Sequence, residues 1–328
     1  MSRLDRLRNE ARDLFEMVLV PGLAAVLPWP LCYRIFRRIA RWNLLYTPEC
    51  TAALHHATER GWVKGDPAAW LAACRLVTLV DNADYFLSRF RSDRWMARHL
   101  DVTGQWPAPG EAAILCTFHW GAGMWALRHA GSRGDTAHAL VAPHVRENFP
   151  GRAVRYFYYG ARNRENTRAL GTEPIEATAI PRTILRALRA NQQIMAAVDV
   201  PSDQAAASEP ITLIGMPARV PRGLFRIAAQ AQVPMHVFIT GIRMADGKRT
   251  LQIQKLQSAD QLALMQEAFA LLEAAIVSNP PAWHRRLSFS ARRAFASKKA
   301  RRDLPEVPGR ACHSVECTTS SAGRGRLV

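Results

Sequence analysis

No two of the six cysteines, Cys32, Cys50, Cys74, Cys116, Cys312 and Cys317, stand in C-x-x-C spacing, so a zinc-ribbon ligand set is absent. No small-residue cleavage site follows the first apolar run, which argues against a cleavable leader, and scattered thiols fit a reducing compartment. H-E-x-x-H, G-x-S-x-G and G-x-x-x-x-G-K-[ST] are also missing. Their absence removes the usual markers of a zinc protease, a serine hydrolase and a phosphate-binding loop. Acids are scarce: 27 Asp+Glu against 44 Lys+Arg leave a formal charge of +17 on 328 residues. Such a chain is drawn to nucleic acid, to an anionic membrane surface or to an acidic carrier protein. The hydrophobic content of 48% and charged content of 22% are those of a globular protein, which excludes wholesale disorder and a multi-span membrane protein.

What is present begins with a charge-dense, helix-compatible segment over residues 3–16. Met17 to Tyr33 then carries no charge but contains Pro21, Pro28 and Pro30, which is marginal for a spanning helix in length and in proline content. Directly after it come Arg34, Arg37, Arg38 and Arg41, interleaved with Ile35, Phe36, Ile39, Trp42 and Leu44. This spacing reads as an interfacial amphipathic helix, with a core helix bearing a basic outer face as the alternative. Residues 1–45 are therefore expected to associate with a membrane. Residues 46–100 read as helical. Strands are expected at 112–118, 137–142, 194–198, 235–242 and 250–256, and helices at 124–128, 181–190, 221–231 and 260–277. Strands alternating with helices predict an α/β domain over 46–295, a single mixed sheet flanked by helices. Residues 296–328 hold seven Lys/Arg against three Asp/Glu without apolar periodicity and read as a basic disordered tail.

The junction at 112–128 is the sharpest local signal. His119 follows a buried strand, where open α/β sheets bind ligands. Gly121 and Gly123 leave room for a substrate to approach the backbone, and the next helix start offers N–H groups to an oxyanion. A histidine there suits general-base chemistry on a hydroxyl; a structural histidine in a tight turn is the alternative. Gly121, Gly123 and Ala126 also match G-x-G-x-x-A, but the second strand ends Val141-Ala-Pro-His144 without the acid that a dinucleotide ribose requires. Between Ala142 and Arg168 six arginines, among them Arg162 and Arg164, surround Tyr156-Phe-Tyr-Tyr159. This pattern suits single-stranded nucleic acid, a phosphopantetheine arm, an acidic carrier or a phosphorylated lipid; a solvated basic loop with a core aromatic cluster is the alternative. Asp199 and Asp203 follow another buried strand, as site residues or as loop caps.

Taken in order, these segments resemble the late lipid A acyltransferases and their wider lysophospholipid-acyltransferase-like family, across about residues 20–295. The resemblance is carried by Leu27-Pro-Trp-Pro-Leu-Cys-Tyr-Arg-Ile-Phe-Arg-Arg38, by Thr117-Phe-His-Trp-Gly-Ala-Gly-Met124, and by Leu185 to Ala190 leading to Met195-Ala-Ala-Val-Asp-Val-Pro-Ser-Asp-Gln204. Ile214-Gly-Met-Pro-Ala-Arg-Val-Pro-Arg-Gly-Leu224 and Pro281-Ala-Trp-His-Arg-Arg286 complete it. It implies a membrane-associated enzyme at the cytoplasmic face of a bacterial inner membrane. Such an enzyme moves a fatty acyl chain from an acyl-carrier thioester, on acyl carrier protein or coenzyme A, to a hydroxyl of a glycolipid or lipid-like acceptor. It needs no cofactor or metal; its partners are anionic lipids, an acidic carrier protein and the acceptor. A binding or scaffold protein on the same fold and a nucleic-acid binder are the weaker readings. The family's H-x4-D/E box keeps His119 as base, but Met124 stands where the acid belongs. Asp199 is the expected substitute, and Trp120, Gly121, Gly123, Arg162, Arg164, Asp203 and Arg222 are the expected substrate-binding residues.

Overall fold

The apolar runs expected as strands line up in one seven-stranded sheet of order β1-β9-β8-β2-β5-β3-β4. The computed structural model describes residues 2–134, 136–176, 181–200 and 207–283. The strands are β1 (Leu100–Thr103), β2 (Ala113–Thr117), β3 (Ala137–Val141), β4 (Ile175–Glu176), β5 (Gln193–Ala197), β8 (Met235–Ile242) and β9 (Arg249–Lys255). β6 (Ser208–Leu213) and β7 (Met216–Pro221) form a separate hairpin. Neighbouring strands are parallel except at the β8–β9 pair. β2 lies between β8 and β5, and Ala113 to Cys116 are fully buried, as a continuous apolar run in a covered parallel sheet must be.

The helices are α1 (Arg3–Leu14), continued by a π turn (Phe15–Leu19) into α2 (Val20–Val26), then α3 (Trp29–Ile39), α4 (Thr47–Glu59), α5 (Pro67–Phe90) and α6 (Asp93–Arg98). After β2 come α7 (Met124–Gly131), α8 (Ala153–Leu170), α9 (Pro181–Arg189), α10 (Gly223–Ala231) and α11 (Gln261–Ser278). α5 starts where Asp66 accepts hydrogen bonds from the N–H groups of Ala68 (2.9 Å) and Ala69 (3.1 Å), with Pro67 at the first helical position. It buries Trp70, Cys74, Val77, Val80, Ala83 and Leu87. Beyond its end Arg91 donates to the carbonyls of Ala24 (3.1 Å) and Leu27 (2.9 Å), closing the C-terminus of α2.

The uncharged run does not stand apart from the α/β body. Val20, Ala24, Trp29, Cys32, Tyr33 and Phe36 are buried in the same core as the strands. The run is split at Leu27-Pro28, and α2 and α3 are 7 and 11 residues long, each too short to span a bilayer. Among the described residues one helix, α11, is long and apolar enough to cross a membrane by length and composition. It buries Leu264, Met265, Ala268, Phe269, Leu272 and Ile276. The four described cysteines, Cys32, Cys50, Cys74 and Cys116, are buried, and the Cys74 thiol donates to Cys50 Sγ (3.1 Å). The tail expected at 296–328 lies outside the described residues.

α5 and β9 are joined by a fully buried ion pair. The Arg249 guanidinium reaches the Asp84 carboxylate and lies over the rings of Trp29 (4.2 Å) and Trp125 (4.6 Å). Burial pushes the Asp84 carboxyl up to about 6 even with Arg249 beside it. Breaking such a pair from one side strands the other charge. Asp84→Ala is therefore expected to lower unfolding free energy by about 3–5 kcal/mol, read as a lower urea midpoint with an unchanged slope.

Candidate active site

His119 and Asp199 meet because of strand register. β2 and β5 are adjacent and parallel, with Ala113 opposite Gln193 and Thr117 opposite Ala197. The ladder continues as the Val198 N–H donates to the Thr117 carbonyl (2.9 Å). Two residues past each strand, the same offset sets His119 beside Asp199 at the carboxyl end of the sheet. His119 Nδ1 lies 2.7 Å from Asp199 Oδ1, and the His119 backbone N–H donates to the same carboxylate (2.9 and 3.1 Å). Trp283 Nε1 donates to Oδ2 at 3.0 Å. The acid beside His119 is thus Asp199, from the end of the neighbouring strand.

The electrostatics follow from these donors. Asp199 is fully buried, and burial by itself pushes its carboxyl up. The side-chain hydrogen bond and charge of His119, the Trp283 N–H and the His119 backbone N–H outweigh that and hold it below the ordinary carboxylate value. An ionised carboxylate only accepts, so Nδ1 carries the proton and Nε2 is the nitrogen left to take one. The imidazole is 32% exposed, while its acid is sealed off. This is the arrangement of a base that a substrate can reach and an orienting acid that it cannot.

The end of β2 and the loop after it are fixed to β8 and to the turn after α11. Thr117 Oγ1 donates to the Phe238 carbonyl (2.8 Å), Thr240 Oγ1 to the Trp120 carbonyl (3.1 Å), and the Gly121 N–H to the Ala282 carbonyl (3.0 Å). Trp120 is buried and bridges Trp283; it is part of the site's wall rather than an open contact surface. The two glycines have different roles. Gly121 has φ +58°, and a Cβ there would stand 2.5 Å from the Thr240 carbonyl oxygen, so the room expected for a substrate is taken by β8. Gly123 has helical backbone angles and nothing within 4 Å of a built Cβ. It caps α7 without a side-chain acceptor for the first-turn N–H groups. Gly121→Ala is expected to lose about 1–3 kcal/mol or more from strain and clash. Gly123→Ala should leave stability within about 1 kcal/mol yet lower turnover if substrate approaches that backbone. Thermal melts of the two variants beside turnover separate these roles.

The remaining expected site residues lie elsewhere. Arg162 is bound to Asp81, by side chain (2.7 Å) and by carbonyl (3.1 Å), and pins α8 to α5. The basic aromatic stretch around it is a helix rather than a loop, with Tyr158 buried and donating to Asn82 Oδ1 (3.0 Å). Arg164 borders a cavity of about 320 Å³ with His144, Asn163 and Glu173, on the β3–β4 side of β5. Arg222 precedes α10 and pairs with Glu209 of the β6–β7 hairpin. Asp203 lies outside the described residues. Trp283, which completes the Asp199 shell, is the residue that sequence reasoning missed; its signal was the Pro281-Ala-Trp segment returning to the sheet after the last helix. Nor is the glycine match a dinucleotide site in its topology, because β5 separates β3 from β2 and brings Asp199 to His119 instead. Among the described residues no group of three or more His, Cys, Asp or Glu is arranged to hold a metal ion.

A second basic feature lies at the same end of the sheet. Arg34, Arg37, Arg38 and Arg41 surround a depression of about 410 Å³ with Trp42. α3 is tied to the β8–β9 turn, which starts shortly after Thr240, by Tyr33 Oη donating to the Met244 carbonyl (2.9 Å) and Arg37 donating to that of Ala245 (3.4 Å). No family model and no curated protein matches this chain.

Proposed function

We propose that the chain is an acyltransferase that moves a fatty acyl group from a carrier thioester to a hydroxyl of a glycolipid or lipid-like acceptor. The observation that carries this reading is the His119 Nδ1–Asp199 contact at 2.7 Å across adjacent strand ends, with the imidazole reachable and the carboxylate buried. In this mechanism Nε2 removes the hydroxyl proton as the oxygen attacks the thioester carbonyl. Asp199 stabilises the imidazolium that forms. First-turn N–H groups of α7 are candidate donors to the oxyanion of the tetrahedral intermediate. Its collapse breaks the C–S bond, the thiolate leaves, and the imidazolium returns the proton to sulfur, so proton and electrons balance with no cofactor. The four arginines of α3 suit an acidic carrier bringing the thioester to this end of the sheet, and the acceptor is reached at the cytoplasmic face of an inner membrane.

The test is intact-lipid profiling of cells with and without the gene, complemented by wild type or by His119→Ala. A lipid species that loses one acyl chain on deletion, restored by wild type alone, names acceptor and chain together. An unchanged lipid profile overturns the reading.

A further inference from the structure

The first helix is inside out. A helix on a soluble body turns its apolar stripe inward and its charges to water. α1 and its π continuation do the opposite. Asp13 is fully buried and holds Arg152 (Nε to Oδ2, 2.6 Å) and Arg155 (Nη2 to Oδ1, 3.0 Å). Glu10 accepts from the first two N–H groups of α8, Ala153 (2.5 Å) and Val154 (2.8 Å). Glu16, buried, accepts from the Tyr46 N–H (2.7 Å). Glu10, Asp13 and Glu16 thus dock this helix. The opposite side exposes Leu4 (78%), Leu7 (70%), Leu14 (41%), Phe15 (41%) and Leu19 (56%), and Leu4, Leu7, Ala11, Leu14 and Val18 recur at 3-4-3-4 spacing.

The charge left at the surface says what covers this stripe. Arg3, Arg6 and Arg8 are exposed, whereas Asp5 is turned back onto the Ser2 cap (2.8 Å). Basic residues in the first turns oppose the helix dipole unless an anion lies nearby. The same arginines repel a second copy of the helix laid alongside. We propose that the stripe of α1 seats in the interface of an anionic lipid bilayer, leucines among the acyl chains and arginines at the headgroups. Attachment is thereby assigned to residues 4–19 rather than to residues 20–44, where Val20, Ala24, Trp29, Cys32, Tyr33 and Phe36 are buried in the core and the exposed Val26, Leu31, Trp42 and Leu44 do not form a continuous stripe at helical spacing. The proposal draws on the acyl-transfer reading only for the use of such a site, and its test reads binding alone.

That test is co-flotation of the full chain with vesicles of phosphatidylethanolamine and phosphatidylglycerol, and with phosphatidylcholine vesicles as the neutral control. Wild type and His119→Ala should float with the anionic vesicles, and less well as salt is raised. Leu4→Glu/Leu7→Glu, which alters two exposed positions, should melt like wild type and bind at least about tenfold more weakly. Arg34→Glu/Arg38→Glu/Arg41→Glu on α3 should bind within about threefold of wild type. Wild-type binding by the leucine variant overturns the proposal, as does loss of binding only in the α3 variant. A wild-type dimer that the leucine variant converts to monomer, without vesicle binding by either, overturns it in favour of a second copy.

Discussion

His119→Ala is expected to lower acyl transfer by roughly 10²–10⁴-fold, the usual contribution of a positioned general base. The loss is chemical rather than structural. The imidazole is 32% exposed, and removing it leaves Asp199 two of its donors, the residue 119 backbone N–H and the Trp283 indole. The buried carboxylate therefore stays hydrogen-bonded, and the melting curve should move little. Single-turnover transfer from a carrier thioester, set beside a thermal melt, separates the two effects. Unchanged turnover in a folded variant removes His119 from the mechanism. A collapsed melt with Asp199 intact would mean that the imidazole is a core element of the fold.

How far this site was legible in the sequence depends on the kind of signal each part left. β2 and β8 were readable because central strands of a covered sheet are continuous apolar runs bounded by turns. His119 and Asp199 were both readable as strand-end polar residues, and their pairing follows once β2 and β5 are neighbours. Sequence alone did not make them neighbours, because β3 intervenes in the chain and not in the space between them. Trp283 was visible as part of a motif, but its indole reaches a carboxylate 84 residues away, and no local pattern encodes that. Arg162 was misleading for a related reason: its partner, Asp81, lies on a different helix, so a half-buried structural cation read as a substrate-binding one. The β6–β7 hairpin was missed because it breaks local rules. It carries Pro210, Pro217 and Pro221, and turns at Ile214 and Gly215, both at positive φ, although a β-branched residue rarely adopts that conformation. α1 shows the deepest limit. Its charge pattern predicted a helix correctly, but which face meets the body is decided by Arg152, Arg155 and Tyr46, none of them near it in sequence.

Asp199→Asn is expected to cost on the order of 10³–10⁴ in turnover, comparable to the same change in a Ser-His-Asp triad, with the fold retained. The carboxylate faces three donors: the His119 Nδ1–H, the His119 backbone N–H and the Trp283 indole N–H. A carboxamide offers one oxygen and turns its NH2 group toward the rest. The cheapest relief is a change of imidazole tautomer, so that Nδ1 accepts from the amide and Nε2 holds the proton, which disables the base without moving an atom far. Met124→Glu tests the same point from the other side. Met124 opens α7 and is 2% exposed, so a carboxylate there is desolvated, and the His119 Nδ1–H that the box would pair with it is already held by Asp199. The variant should lose several kcal/mol of stability, about what an unpaired buried charge costs before it neutralises, and gain no activity. Added to Asp199→Asn, it should not restore turnover. If Met124→Glu instead raised transfer above wild type, the box would be a degenerate one repaired by its family residue, and Asp199 would be a structural acid that holds the two strand ends together.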